Sequence, residues 1–130
     1  MKLNMKIYNG QLDADFYIQS HGKKNSGRPL RKPIRNCFAV WTNKENAFEI
    51  VNCLFVARKF EYFIGGSIIP FIRLYEIRKF LEGEFLKSYH AKSLKLIEVA
   101  TKHESILYEQ YLKSKMLSVA YALNAFRSTK

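Results

Sequence analysis

CFAVWTNKENAFEIVNCLFVARK, residues 37–59, sets two kinds of order side by side. Its first six residues, Cys37 to Thr42, are a compact apolar run and predict a buried strand. Thr42 or Asn43 can cap a helix over about residues 44–58, where Phe48, Val51, Leu54, Phe55 and the aliphatic stem of Arg58 recur at helical spacing. Glu45 and Glu49 sit near the start of that helix and Arg58 and Lys59 near its end, a polarity that complements the helix dipole.

Upstream, residues 2–8 and 14–20 read as two strands around an Asn9-Gly10 turn signal. In the second strand Phe16 and Ile18 share one face and Tyr17 takes the other. Residues 21–36, HGKKNSGRPLRKPIRN, carry two glycines and two prolines, which predict a loop without regular structure. Downstream, Phe60–Ile64 alternates and ends at Gly65-Gly66, the pattern of a strand and a turn. Residues 67–73 predict a short strand that Pro70 bends or confines to an edge.

The C-terminal half is helical. Residues 74–86 place Leu74, Ile77, Phe80 and Leu81 on one face, and Gly83 weakens the end. From His90 to Phe126 there is neither Pro nor Gly. That span is one helix of about 35 residues, ~50 Å long, or two helices broken near His103. Leu94, Ile97, Thr101, Tyr108, Leu112, Val119, Ala122 and Phe126 fall on one stripe, while the tail MLSVAYALNAF is apolar all round and needs a cover. A fold of class α+β follows: a small antiparallel sheet of three to five strands, packed by the 44–58 helix and followed by a long C-terminal helix or helical hairpin. One domain over 1–130 is expected, with 1–73 mostly sheet and 74–130 helical.

The 130 residues suffice for a real core, and 48% apolar with 15% aromatic content argues against disorder. Lys and Arg number 22 against 11 Asp and Glu, a formal charge of +11. Such a field attracts polyanions: RNA, DNA, or acidic protein and membrane surfaces. Cys37 and Cys53 fit no zinc motif and no disulfide framework, so they read as buried free thiols. MKLNMKIYNG lacks the apolar core of a signal peptide, and no stretch is long enough to span a bilayer. A cytoplasmic location, away from membranes, is expected.

The basic loop is the strongest functional signal. Between Asp15 and Glu45 there is no acidic residue, and the interval holds Lys23, Lys24, Arg28, Arg31, Lys32, Arg35 and Lys44. Prolines stiffen this segment, arginines can grip phosphate with two donors, and Gly22 and Gly27 let backbone amides approach closely. The loop therefore reads as a phosphate clamp, with a solvated surface pairing its arginines to glutamates, or a dock for acidic protein, as the alternatives. Tyr17, Trp41, Tyr62 and Tyr75 are the candidates for stacking on bases.

Signals for catalysis are sparse, and no enzyme activity and no cofactor is expected. His21, His90 and His103 stand alone, and there is no Walker loop, GxGxxG or serine elbow. Asp13 and Asp15 could share a magnesium ion on one strand face, which keeps a small metal-dependent nuclease as an alternative. Another alternative is a protein–protein adaptor or homodimer built on the C-terminal helix, through residues 116–123.

Gly27-Arg28-Pro29-Leu30, Pro33, Asn36-Cys37-Phe38 and Thr42 form one set of marks. Arg58-Lys59-Phe60, Gly66-Ser67 and Pro70-Phe71-Ile72-Arg73 form another. Across about residues 14–100 the chain resembles an uncharacterised family of short basic proteins carried on bacterial mobile elements and prophages. The resemblance implies a setting and no chemistry. In that setting a basic protein that engages RNA or a nucleoprotein would fit an inhibitor of host defence, resembling an anti-CRISPR directed at an RNA-guided nuclease.

Overall fold

The computed structural model describes residues 2–10, 13–66 and 68–127. The elements run β1 (Leu3–Ile7), β2 (Phe16–Gln19), β3 (Pro29–Leu30), β4 (Cys37–Thr42), α1 (Ala47–Val56), β5 (Ile64–Gly65), β6 (Phe71–Ile72), α2 (Leu74–Glu84) and α3 (Ala91–Arg127). The fold is α+β: a four-stranded antiparallel sheet, short helices against it and one long C-terminal helix.

The apolar run 37–42 takes an inner place in the sheet, whose order is β1-β4-β2-β3. Met5 and Phe16 flank Val40 from its two sides. The two N-terminal strands therefore do not pair with each other across Asn9-Gly10. A strand with four buried residues, Cys37 to Val40, needs a neighbour on both edges, and β1 and β2 supply one each. β1 is left as an edge and carries Lys6 exposed, which discourages further pairing.

Alternation along the strands sorts the two faces. Phe16, Ile18, Phe38 and Val40 turn to the helices, where Ile50, Val51 and Leu54 of α1 and Ile77 and Leu81 of α2 complete the main core. Tyr17, Cys37 and Ala39 turn the other way, under Tyr8, Leu30 and Trp41. Both cysteines are free thiols; Cys37 is buried and Cys53 half-buried. Burial pushes the Cys37 thiol above its ordinary range, while Sγ donates to the Ile34 carbonyl at 3.0 Å.

Several boundaries differ from the sequence reading. Helix α1 begins at Ala47, because Asn46 adopts a left-handed conformation (φ 59°) and ends the preceding turn. Thr42 instead accepts the Lys44 amide hydrogen at 3.1 Å. Residues 60–64 are not an alternating strand: Glu61–Phe63 is a 3₁₀ turn with Phe60 buried beneath it. Only Ile64–Gly65 is extended, paired with β6. Helix α2 stops at Glu84, and α3 runs without a break through His103.

Two compact units divide the chain, Met1–Leu94 and Lys95–Lys130. Helix α2 belongs to the first, and so does Leu94 at the start of α3, which is buried in its core. The second unit is the remainder of α3. Its large apolar side chains, from Leu96 to Phe126, are mostly exposed.

A small polar cluster fastens the link between α2 and α3. The Tyr89 hydroxyl donates to Glu84 Oε2 at 2.7 Å and the Lys87 ammonium to Oε1 at 2.9 Å. Burial opposes the charge on Glu84, but the bonds from Lys87 and Tyr89 outweigh it and hold the carboxyl below its usual pKa. Burial and the Glu84 carboxylate push the Tyr89 phenol upward. Tyr89→Phe is expected to cost about 1–2 kcal/mol by urea unfolding at neutral pH. Because the folded pKa of Glu84 is depressed, its contribution is full above the unfolded carboxylate pKa. It fades as pH falls through the folded value, so the gap between Tyr89→Phe and the parent should narrow in acid.

Candidate nucleic-acid interface

The basic segment 22–36 is a tightly tied structure. The Gly27 amide donates to the Gln19 carbonyl at 2.7 Å, and the Gln19 amide donates to that of Arg28 at 2.9 Å. Pro29–Leu30 continues this ladder as β3, against the expectation that prolines would keep the loop free of regular structure. Proline is tolerated there because β3 is an edge strand. The buried Ser26 hydroxyl donates to the Gly22 carbonyl, and the Gly22 amide donates to Pro70 at 2.8 Å. Gly27 adopts φ +94° and lies directly on the Phe60 ring.

This scaffold sorts the cations. Lys23 and Lys24 are exposed on the turn, and Arg28, Lys32 and Arg35 are exposed beyond it. None of these five is in a salt bridge among the described residues. Arg31 differs: its guanidinium lies 3.6 Å over the Phe48 ring and 3.4 Å from Glu49, both on α1. It holds the loop to the helix. Lys44 is half-buried and lies beyond the far end of β4, beside Ser88 and Tyr89 in a separate cleft. The structure does not bring it to the loop.

A groove of about 520 Å³ opens beside the loop. Ile7 and Tyr8, Ser20 and His21, Arg35 to Phe38, and Phe71 to Leu74 line it. Ser20 is the joint. Its amide and hydroxyl both donate to the Asn36 carbonyl, at 2.9 and 2.7 Å, and its own carbonyl accepts the Ile72 amide at 2.8 Å. With the Ser20 proton committed to Asn36, the 2.7 Å contact to His21 Nδ1 requires the ring to donate there. His21 stacks on Phe71 with centroids 5.9 Å apart and planes tilted by 28°. Arg73 stands 5.9 Å from the Phe71 ring centre. Arg73 and Phe71 also line a second cleft, of about 210 Å³, with Tyr62 on its other wall.

Sequence reasoning missed His21, Phe71 and Arg73 as neighbours of the loop, because a bridge between residues 21 and 71 leaves no periodic signal. Among the stacking candidates, Tyr17 is buried and the Trp41 indole donates to the Asp13 carbonyl at 3.0 Å. Tyr62 and Tyr75 remain with exposed rings, and Lys79 approaches the latter. Asp13 and Asp15 precede β2 instead of sharing a strand face, and Asp15 accepts the Thr42 amide hydrogen at 2.9 Å. Among the described residues no group of three or more His, Cys, Asp or Glu is placed to hold a metal.

A family model matches residues 5–124. The chain belongs to DUF6943, a family of unknown function. The DUF6943 match takes in the loop, the groove and most of α3. It agrees with the resemblance to an uncharacterised family. No curated protein and no solved structure matches this DUF6943 chain significantly. No helix among the described residues is long and apolar enough to cross a membrane.

Proposed function

We propose that the chain is a non-enzymatic protein that binds RNA, free or within a ribonucleoprotein, through the 22–36 loop and the groove beside it. The observation that carries this reading is the set of unpaired cations, Lys23, Lys24, Arg28, Lys32 and Arg35, on a backbone tied at both ends. A loop that is already ordered loses little entropy when phosphates arrive. The groove adds an apolar floor beside Arg35 and Arg73, a combination that suits a base with its phosphate. A single strand fits better than duplex DNA. Reading a major groove takes a helix or β-ribbon, and the cations here sit on a compact loop. On mobile elements such a protein could act on a host RNA-guided nuclease; the marks quoted from residues 27–73 support that part of the proposal.

Fluorescence anisotropy with a labelled single-stranded RNA at low salt tests it. Arg28→Ala should weaken binding about three- to tenfold and leave the melting temperature unchanged. Arg31→Ala should do the reverse, lowering the melting temperature through its lost contacts to Phe48 and Glu49. No binding at low salt, or equal binding by Arg28→Ala, sinks the assignment. RNA cleavage with magnesium that is abolished by Asp13→Ala or Asp15→Ala would replace it with the nuclease reading.

A further inference from the structure

The four-stranded sheet has a second face, on the side away from Phe16, Ile18, Phe38 and Val40. Cross-strand register sets its side chains in rows. Asn4 of β1 stands opposite Trp41 of β4, and Lys6 opposite Ala39. Ala39 is also opposite Tyr17 of β2, and Tyr17 is opposite Leu30 of β3. Arg28, two residues before Leu30, shares its side. The middle of this face is apolar: Tyr17 and Ala39 pack against Tyr8, Leu30 and Trp41, with the Tyr8 and Tyr17 rings edge to face at 5.5 Å. Cations stand at its margins, Arg28 exposed at β3 and Lys2 and Lys6 exposed at β1. Between those lysines Trp41 lines a cleft of about 480 Å³, with Asn4 and Asp15 among its other walls. The indole N–H donates to the Asp13 carbonyl at 3.0 Å, which fixes the ring in the cleft.

We infer that, on the reading that the 22–36 loop holds RNA, a single strand continues from Arg28 across this face and stacks a base on Trp41. Three strand spacings, ~14 Å, separate β3 from β1, a span that a few extended nucleotides cover. Cations at both margins of an apolar middle suit a polyanion that also carries flat rings, and suit an apolar peptide poorly. The Trp41 ring is already held, so a base that stacks on it orders little of the protein. Within the cleft two lysines face one acid, and Asp15 Oδ2 accepts the Thr42 amide hydrogen. Asp15 offsets part of the lysine charge, so this end of the path acts by stacking more than by pairing with phosphate. Every base has a π face, so the contact adds affinity without selecting a sequence. It does select single strands, because a duplex keeps its bases within its own stack.

Trp41 is the single tryptophan of the chain, so its emission reports on this cleft alone. Titrating the full chain with an unstructured, labelled RNA at low salt should quench that emission saturably, in step with the anisotropy of the label. Inorganic polyphosphate, which offers charge and no base, should compete with the RNA and leave the emission near its starting value. Trp41→Leu keeps an apolar side chain in the cleft and removes the ring. It should weaken RNA binding about tenfold and leave the salt slope unchanged, because stacking releases no counterion. RNA binding by anisotropy without quenching, equal quenching by polyphosphate, or parental affinity in a folded Trp41→Leu overturns the inference and leaves the role of the loop standing. Should Trp41→Leu fail to fold, the emission of the parent with RNA and with polyphosphate decides. No anisotropy change at low salt overturns the loop reading itself, and this path with it.

Discussion

Gly27→Ala should destabilise the fold by roughly 2–5 kcal/mol, which is much of the total for a chain of this size. Two costs add. Gly27 adopts φ +94°, which an alanine enters only with strain. Its new Cβ would also lie 2.5 to 3.0 Å from Cδ2, Cγ and Cβ of Phe60. Phe60 cannot swing away, being 1% exposed and packed edge-on against Phe80. Urea unfolding should show a lower midpoint with an unchanged slope. Gly83→Ala is the matched control. It sits within α2, meets nothing within 4 Å, and should stabilise by about 0.5–1 kcal/mol. Equal midpoints for Gly27→Ala and the parent would mean that the loop is not seated on Phe60.

RNA affinity should fall about a hundredfold between 50 and 200 mM salt. Five loop cations neutralising one phosphate each give a slope near −3.5 in log affinity against log salt for a single strand. Arg28→Ala or Arg35→Ala should flatten that slope by about 0.7, the share of one phosphate. Arg31→Ala should leave it nearly unchanged, because Glu49 already answers that charge. Lys44→Ala should also leave it unchanged, because Lys44 lies at the other end of β4. A slope near zero would point away from phosphate contacts. An equal change from all four substitutions would point to bulk charge and away from a site.

The sequence was readable where a local pattern matched a local cause. The run Cys37 to Val40 is uninterrupted and apolar, and it is buried within the sheet. Phe16 and Ile18 alternate with Tyr17, and they separate onto opposite faces of the sheet. The 90–126 span lacks breakers, and it is one helix. Failures came where distant residues decide. The Asn9-Gly10 signal suggests that neighbours in sequence pair, but burial of β4 sends both N-terminal strands to its edges. Asn46 starts α1 late through a left-handed backbone that propensity does not disclose. The loop cations were legible as a set. Their sorting was not, since the contacts from Arg31 to Phe48 and Glu49 and the half-burial of Lys44 depend on where α1 and α2 pack.

The placing of β4 between β1 and β2 bears on how the chain acquires its structure. Ile7 pairs with Phe38 and Leu3 with Thr42, so the first strand made waits for the fourth. At typical elongation rates that wait lasts several seconds. During it the apolar side chains of β1 have no template, and closing so long a span carries an entropic cost before any contact rewards it. Folding should therefore be slow for a chain of this length, with its rate-limiting step at the docking of residues 37–42. Substitutions in β4, such as Val40→Ala, should slow refolding more than they speed unfolding. A nascent chain halted short of Phe38 should present β1 to chaperones.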